Sequence, residues 1–201
     1  MFANSRKSIT LVELLIAISL LAIMILGINS VDIFSRYHFL STDRRAKIQN
    51  SVSLCLEHMN KNLASAIGNE TLYGANSAVY VHPNSTNTDV LSVLADSNGN
   101  GSRDVGTSND DYWIGYNFTS STKRFSYCGQ CTTYTCAACS ITQETLANNI
   151  TAFSASDNGS YINVSLTACW DPAATVASCG SSDNPSVTMS TSIALPSVAN
   201  F

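Results

Sequence analysis

Charge is scarce in this sequence. Only 12% of its 201 residues are charged and the net charge is −4. No basic stripe occurs after residue 70, which excludes the electrostatic footprint of a nucleic-acid-binding domain. Proline is absent before Pro83, so the residue that most strongly breaks a helix is missing from the N-terminal part of the chain. The three histidines, His38, His58 and His82, lie in no motif with Ser, Cys or a carboxylate that suggests catalysis. No phosphate-binding glycine loop and no metallohydrolase signature occurs. These absences point away from an enzyme, and each histidine is read as structural or exposed.

What is present is concentrated at the start. Residues 1–8 read MFANSRKS, with Arg6 and Lys7 as their only charges. The 20 residues from Ile9 to Ile28 follow, and their only charge is Glu13. At about 1.5 Å per residue such a helix spans roughly 30 Å, the thickness of a bilayer core. The two basic residues place the N-terminus in the cytoplasm. A secretory signal peptide predicts a shorter apolar core followed by a small-residue cleavage site. Here the apolar run continues directly into a helical pattern. A plain signal anchor leaves Glu13 unexplained. A carboxylate within an apolar span costs roughly 2.5–3.5 kcal/mol on insertion scales, and no lysine or arginine lies within the span. Its partner is therefore expected from elsewhere. A cut between Ser8 and Ile9 creates an α-amino group, makes Glu13 the fifth residue of the mature chain and supplies the missing cation.

The stretch Lys7-Ser8-Ile9-Thr10-Leu11-Val12-Glu13-Leu14-Leu15 resembles the cleavage and methylation motif of type IV prepilins and type II secretion pseudopilins. The resemblance implies a prepilin peptidase that cuts after Ser8 and N-methylates Ile9, with Glu13 guiding docking into a growing filament. Ser8 stands where the family usually has Gly, and Ile9 where it has Phe or Met. The expected organisation is a cytoplasmic leader over 1–8, a transmembrane and filament-core helix over 9–28, an amphipathic continuation over 29–67 and an extracytoplasmic head over 70–201. Implied partners are other pilin or pseudopilin subunits, the prepilin peptidase and an inner-membrane assembly platform. No nucleic-acid partner is predicted, although a role in DNA uptake stays open. The implied location is the inner membrane, single-pass with the head outside, and then a pilus or pseudopilus.

Ile48, Val52, Cys55, Met59, Leu63 and Ala66 recur at spacings of three and four, one apolar stripe on an amphipathic helix. With Gly68 as terminator, one helix is predicted over about residues 9–67. Cys55 is read as a small buried thiol, with a disulfide to the C-terminal region as the alternative. Arg44, Arg45 and Lys47 form a solvated face or meet acidic residues of neighbouring subunits. Many major pilins carry a helix-kinking proline where this chain has Ser30, and the difference leans toward a minor subunit. After residue 70, strands are predicted at 78–82, 89–95, 111–118, 123–128, 150–154, 161–170 and 187–195, several with apolar and polar residues alternating. Asn-Gly and Asp-Asn-Gly turns separate them. A long helix followed by antiparallel strands gives an α+β fold. The run Leu146–Phe153, a strand, a loop and a final Ser/Thr-rich strand resemble the J-type pseudopilin and W-type minor pilin group, which implies a priming role.

Two clusters invite metals. Asp96, Asn98, Asn100 and Asp104 place oxygens at the alternate positions that open a calcium loop. Thr107 stands where the bidentate Glu belongs, so an affinity near ~10⁻⁴–10⁻³ M is expected of such a site. The competing reading is a polar Asn-Gly turn. Four of the seven cysteines, Cys128, Cys131, Cys136 and Cys139, form a CxxC-x4-CxxC pattern, and four thiolates can hold zinc. The short spacer and an oxidising compartment favour disulfides instead. Cys131 with Cys136 and Cys128 with Cys139 would nest about one turn, while Cys169 with Cys179 would close another loop; four cysteines allow three pairings. No other cofactor is expected. A filament subunit is the leading function, against a tip adhesin and a membrane-anchored calcium-binding domain outside any filament.

Overall fold

The computed structural model describes residues 10–67, 79–85, 88–99, 111–131, 133–136, 139–141, 143–158, 161–175 and 178–195. It consists of a long N-terminal helix and antiparallel β-sheets, an α+β architecture of pilin type. By its contacts the chain divides into two compact units, Met1–Asp43 and Arg44–Phe201.

Helix α1 covers Leu11–Leu63. In the first unit its large apolar side chains, from Leu11 to Leu40, are exposed, and Leu11–Leu63 contains a window long and apolar enough to cross a membrane. Ser19 and Ser30 bond back to carbonyls of the preceding turn, Ser30 Oγ to Leu26 O at 2.9 Å, so neither leaves an unpaired hydroxyl in the apolar stretch. Asp32 and Arg36 pair one turn apart at 3.1 Å, both largely exposed.

In the second unit the helix is amphipathic. Ile48, Val52, Cys55, Leu56, Met59 and Leu63 are buried, and each large side chain contributes about 1.5–3 kcal/mol by leaving water. Leu56 lies off the predicted stripe and is buried as well. The helix ends at Leu63 in a turn, short of the predicted residue 67. Ala66 instead forms a β-bridge with Ala95, and Ile67 N–H donates to Leu94 O. Tertiary pairing with a strand supplies the backbone partners that another helical turn would have used.

The head contains two sheets. Strands β1 (Val79–Ser85), β2 (Thr88–Ala95), β3 (Tyr112–Thr119), β4 (Arg124–Cys131) and β5 (Glu144–Ala147) form the first in sequential order. Strands β6 (Ile150–Asp157), β7 (Tyr161–Cys169) and β8 (Ser186–Ala194) form the second. All pairs are antiparallel. β7 alternates cleanly, with Ile162, Val164, Leu166 and Ala168 inward. The chain changes sheet at Asn148-Asn149. Asn149 takes φ 68°, a left-handed geometry that asparagine tolerates, and its side chain donates to Trp170 O at 2.9 Å.

One apolar core joins the helix stripe to both sheets. Phe125 bridges them, with Tyr116 stacked at 6.0 Å and Phe153 at 5.2 Å. At its edge sits a polar knot. Tyr116 is fully buried, and its hydroxyl lies 3.0 Å from His58 Nδ1, donates to His58 O at 3.2 Å and accepts from Asn62 Nδ2 at 2.7 Å. His58 also stands edge-on to Tyr127 at 4.6 Å. Burial pushes the His58 imidazole below its ordinary value; Glu144 pulls it back and Lys61 adds a smaller push downward. Burial likewise raises the Tyr116 phenol well above its usual range.

Two expectations follow. Tyr116→Phe leaves the His58 and Asn62 groups short of a partner and should cost about 1–3 kcal/mol in chemical denaturation. Because the folded state disfavours protonated His58, the stability carried by the neutral ring is complete above about pH 6.5 and falls as pH drops through that value toward the depressed folded one. Thermal melts between about pH 7 and about pH 5 should show this slope, and His58→Gln should flatten it.

Candidate functional site

Thr10 precedes the helix and acts as its N-cap. Glu13 N–H donates to Thr10 Oγ1 at 3.3 Å, while Glu13 Oε2 accepts from Thr10 N–H at 2.9 Å and from Thr10 Oγ1 at 3.0 Å. Leu14 N–H closes the first turn onto Thr10 O at 3.2 Å. This is a capping box, in which two otherwise orphaned N–H groups satisfy side-chain oxygens reciprocally. The expectation that the Glu13 partner must come from outside the span is corrected here: part of that partner is Thr10. The signal was present in the sequence, since Thr-x-x-Glu before an apolar run is the signature of such a cap. Among the described residues Glu13 Oε1 accepts nothing, and a carboxylate has about four acceptor positions. The helix N-terminus therefore carries a carboxyl group with spare acceptor capacity. Ser8 and Ile9 lie outside the described residues.

Two basic residues of the second unit, Arg44 and Lys47, pack on its own C-terminal loop. The Arg44 guanidinium lies 5.8 Å and the Lys47 ammonium 5.9 Å from the Trp170 ring centroid, within cation–π range. Arg44 also donates to Asp183 O. The loop they cover is held by Asn184, which is buried, accepts from Asp171 N–H and donates to Asp171 O, each at 2.8 Å. Arg44 and Lys47 are thus not simply a solvated face; Arg45 remains exposed.

The cysteines occupy three places. Cys128 is joined to Cys139, Cys131 to Cys136 and Cys169 to Cys179, while Cys55 is free and buried. Burial drives the Cys55 thiol up to about 11, so it is a core side chain without thiolate character at neutral pH. β4 runs on to Cys131, three residues past the predicted end, and so carries the first CxxC of the pattern. The first two bridges pack with Trp113 in a small separate cluster. Gly115 makes room for it. A Cβ there would collide with Cys136 Sγ, come within 2.8 Å of Cys136 Cβ and within 3.0 Å of Cys131 Sγ.

Of the calcium-loop residues, Asp96 and Asn98 are described, and Asn100 and Asp104 are not. Asp96 Oδ1 accepts from Asn98 N–H at 3.2 Å and Gly99 N–H at 2.6 Å, an Asx turn closed by Gly99 at φ 73°.

Residues 3–29 match the family model described as the prokaryotic N-terminal methylation motif. The match encloses Ser8, Ile9, Thr10 and Glu13, and it ends within α1. It supports a type IV pilin-like or pseudopilin-like chain that is anchored in the membrane and is a substrate of prepilin peptidase. No curated protein and no solved structure matches the chain.

The Gly115 contact is testable. Gly115→Ala should destabilise the head by about 1–3 kcal/mol, because the colliding sulfur is tied into a disulfide and cannot swing away as a free side chain would. Denaturant titration of the oxidised protein measures this.

Proposed function

We propose that this chain is a minor pilin or pseudopilin that primes filament assembly. Prepilin peptidase hydrolyses the Ser8–Ile9 amide; water supplies the Ser8 carboxylate and leaves Ile9 with a free amine. A sulfonium methyl donor then transfers its methyl to that amine and leaves as the thioether; the amine gives up one proton, so N–CH3 replaces one N–H, and the nitrogen is cationic when protonated at neutral pH. The observation that carries the reading is the methylation motif over residues 3–29, which ends in a helix whose first turn holds the Glu13 carboxyl.

The physical logic is local. Thr10 fixes one oxygen of Glu13 at the helix N-terminus, where the macrodipole favours negative charge. The other oxygen is left for an α-amine, either its own or that of an adjoining subunit. In hydrocarbon the pairing matters because an unpaired carboxylate costs several kcal/mol. The N-terminus faces the cytoplasm before processing, consistent with Arg6 and Lys7 in the leader. A minor rather than major role is supported by the unbroken helix through Ser30. The partners on this reading are other pilin subunits and the inner-membrane platform.

The capping box offers a clean test, because glutamine serves in its third position as well as glutamate does. Glu13→Gln keeps the cap and removes the charge, whereas Thr10→Ala weakens the cap by about 1 kcal/mol and keeps the charge. If the charge recruits the subunit, Glu13→Gln should lower incorporation into filaments by about tenfold, the factor that roughly 1.4 kcal/mol commands. Thr10→Ala should have a smaller effect. Normal assembly of Glu13→Gln would sink the proposed pairing.

A further inference from the structure

We infer that the Cys128–Cys139 cluster is a zinc site when its two disulfides are reduced. The three sulfurs of Cys128, Cys131 and Cys136 lie within 4.8 Å of one another and are buried. The fourth sulfur, of Cys139, is bonded to that of Cys128. Three of the four sulfurs thus cluster in the head, and the fourth is tied to one of them. At a Zn–S distance of about 2.3 Å, the sulfurs of a tetrahedral tetrathiolate stand about 3.8 Å apart. To reach that geometry, opening the two S–S bonds must be followed by side-chain rotation that brings the Cys139 sulfur in toward the other three.

Backbone pairing ties the four cysteines to the β3–β4 ladder and its turn in addition to the bridges. Cys128 sits opposite Gly115 and Cys131 opposite Trp113 in the β3–β4 ladder. Cys131 pairs with Cys139 in a β-bridge, and Ser140 N–H donates to Gln130 O at 2.8 Å. Cys136 N–H donates to Thr133 O at 2.9 Å in the intervening turn. Cys136 takes φ 47°, a left-handed conformation that costs a non-glycine residue about 1–3 kcal/mol and persists only where surrounding structure fixes it. Gly115 leaves the space that a Cβ would take from the sulfurs. The two CxxC pairs supply the four thiolates of a closed structural site, and Cys139 is less buried than the other three.

The chemistry balances. Each disulfide takes two electrons from one phosphine and two protons from water, and the phosphine leaves as its oxide with the water oxygen. The four thiols then release four protons as one Zn²⁺ binds four thiolates. Either state closes the same turn between β4 and β5, so the head keeps this corner in oxidising and reducing surroundings alike.

The test uses the full chain in detergent micelles, reduced with a trialkylphosphine and titrated anaerobically with Co²⁺ and then Zn²⁺. One Co²⁺ per chain should bind with a thiolate charge-transfer band and a tetrahedral ligand-field envelope, and one equivalent of Zn²⁺ should displace it. X-ray absorption of the zinc-loaded wild type should show four sulfur neighbours, a readout independent of any variant. Cys128→Ala with Cys139→Ala should lose the four-sulfur signature. Cys169→Ala with Cys179→Ala should retain it, which separates this cluster from the remaining thiols. The inference is overturned by a reduced chain that binds no Co²⁺, by a zinc shell containing nitrogen or oxygen, or by a spectrum that survives loss of Cys128 and Cys139.

Discussion

An ionised carboxylate in hydrocarbon costs about 2.5–3.5 kcal/mol even on the lenient insertion scale, and Glu13 stands in the first turn of a helix with no charge from Leu14 to Val31. The first unit is organised around meeting that cost. Thr10 takes part of it by donating twice to Oε2, and the helix dipole takes another part. What these leave is an acceptor oxygen at the end of an apolar rod. On the proposed reading, processing creates the cation that completes the pair, so the leader, the cap and the carboxylate belong to one electrostatic device.

The second unit obeys a different constraint, the burial of one helix face by strands from two sheets. Ile48, Val52, Cys55, Met59 and Leu63 enter the same core as Leu91, Tyr116, Phe125 and Ile162. Phe125 and Phe153 link the sheets where a single sheet would have needed no link. Cations from the helix cover Trp170 beside the Cys169–Cys179 loop. The head thus secures its periphery with crosslinks and cation–aromatic contacts and its centre with apolar packing.

Much of this was legible in the residues. The helix stripe is a period of three and four with no proline to interrupt it, and seven strands follow apolar alternation closely enough to place them within a few residues. β5 was missed because Glu144–Ala147 offers only four residues, mostly polar on their exposed side, and its strand character comes from pairing with β4. The split into two sheets was equally hidden, since it depends on Asn149 adopting φ 68°, a choice settled by its bond to Trp170. Arg44 and Lys47 show no sequence signal for Trp170, which lies far along the chain. At the helix start the pattern was readable and its meaning was only half drawn: Thr-x-x-Glu announces a cap, while the methylation-motif resemblance drew attention to the charge alone.

The most direct measurement is the mass of the N-terminal peptide from chain recovered in assembled filaments. The account predicts a peptide that begins at Ile9 and carries one methyl group on its amine, with Arg6 and Lys7 gone. An assembled chain that still begins at Met1, or one cut elsewhere and unmethylated, would contradict it, because Glu13 would then lack the cation on which the first unit is proposed to depend.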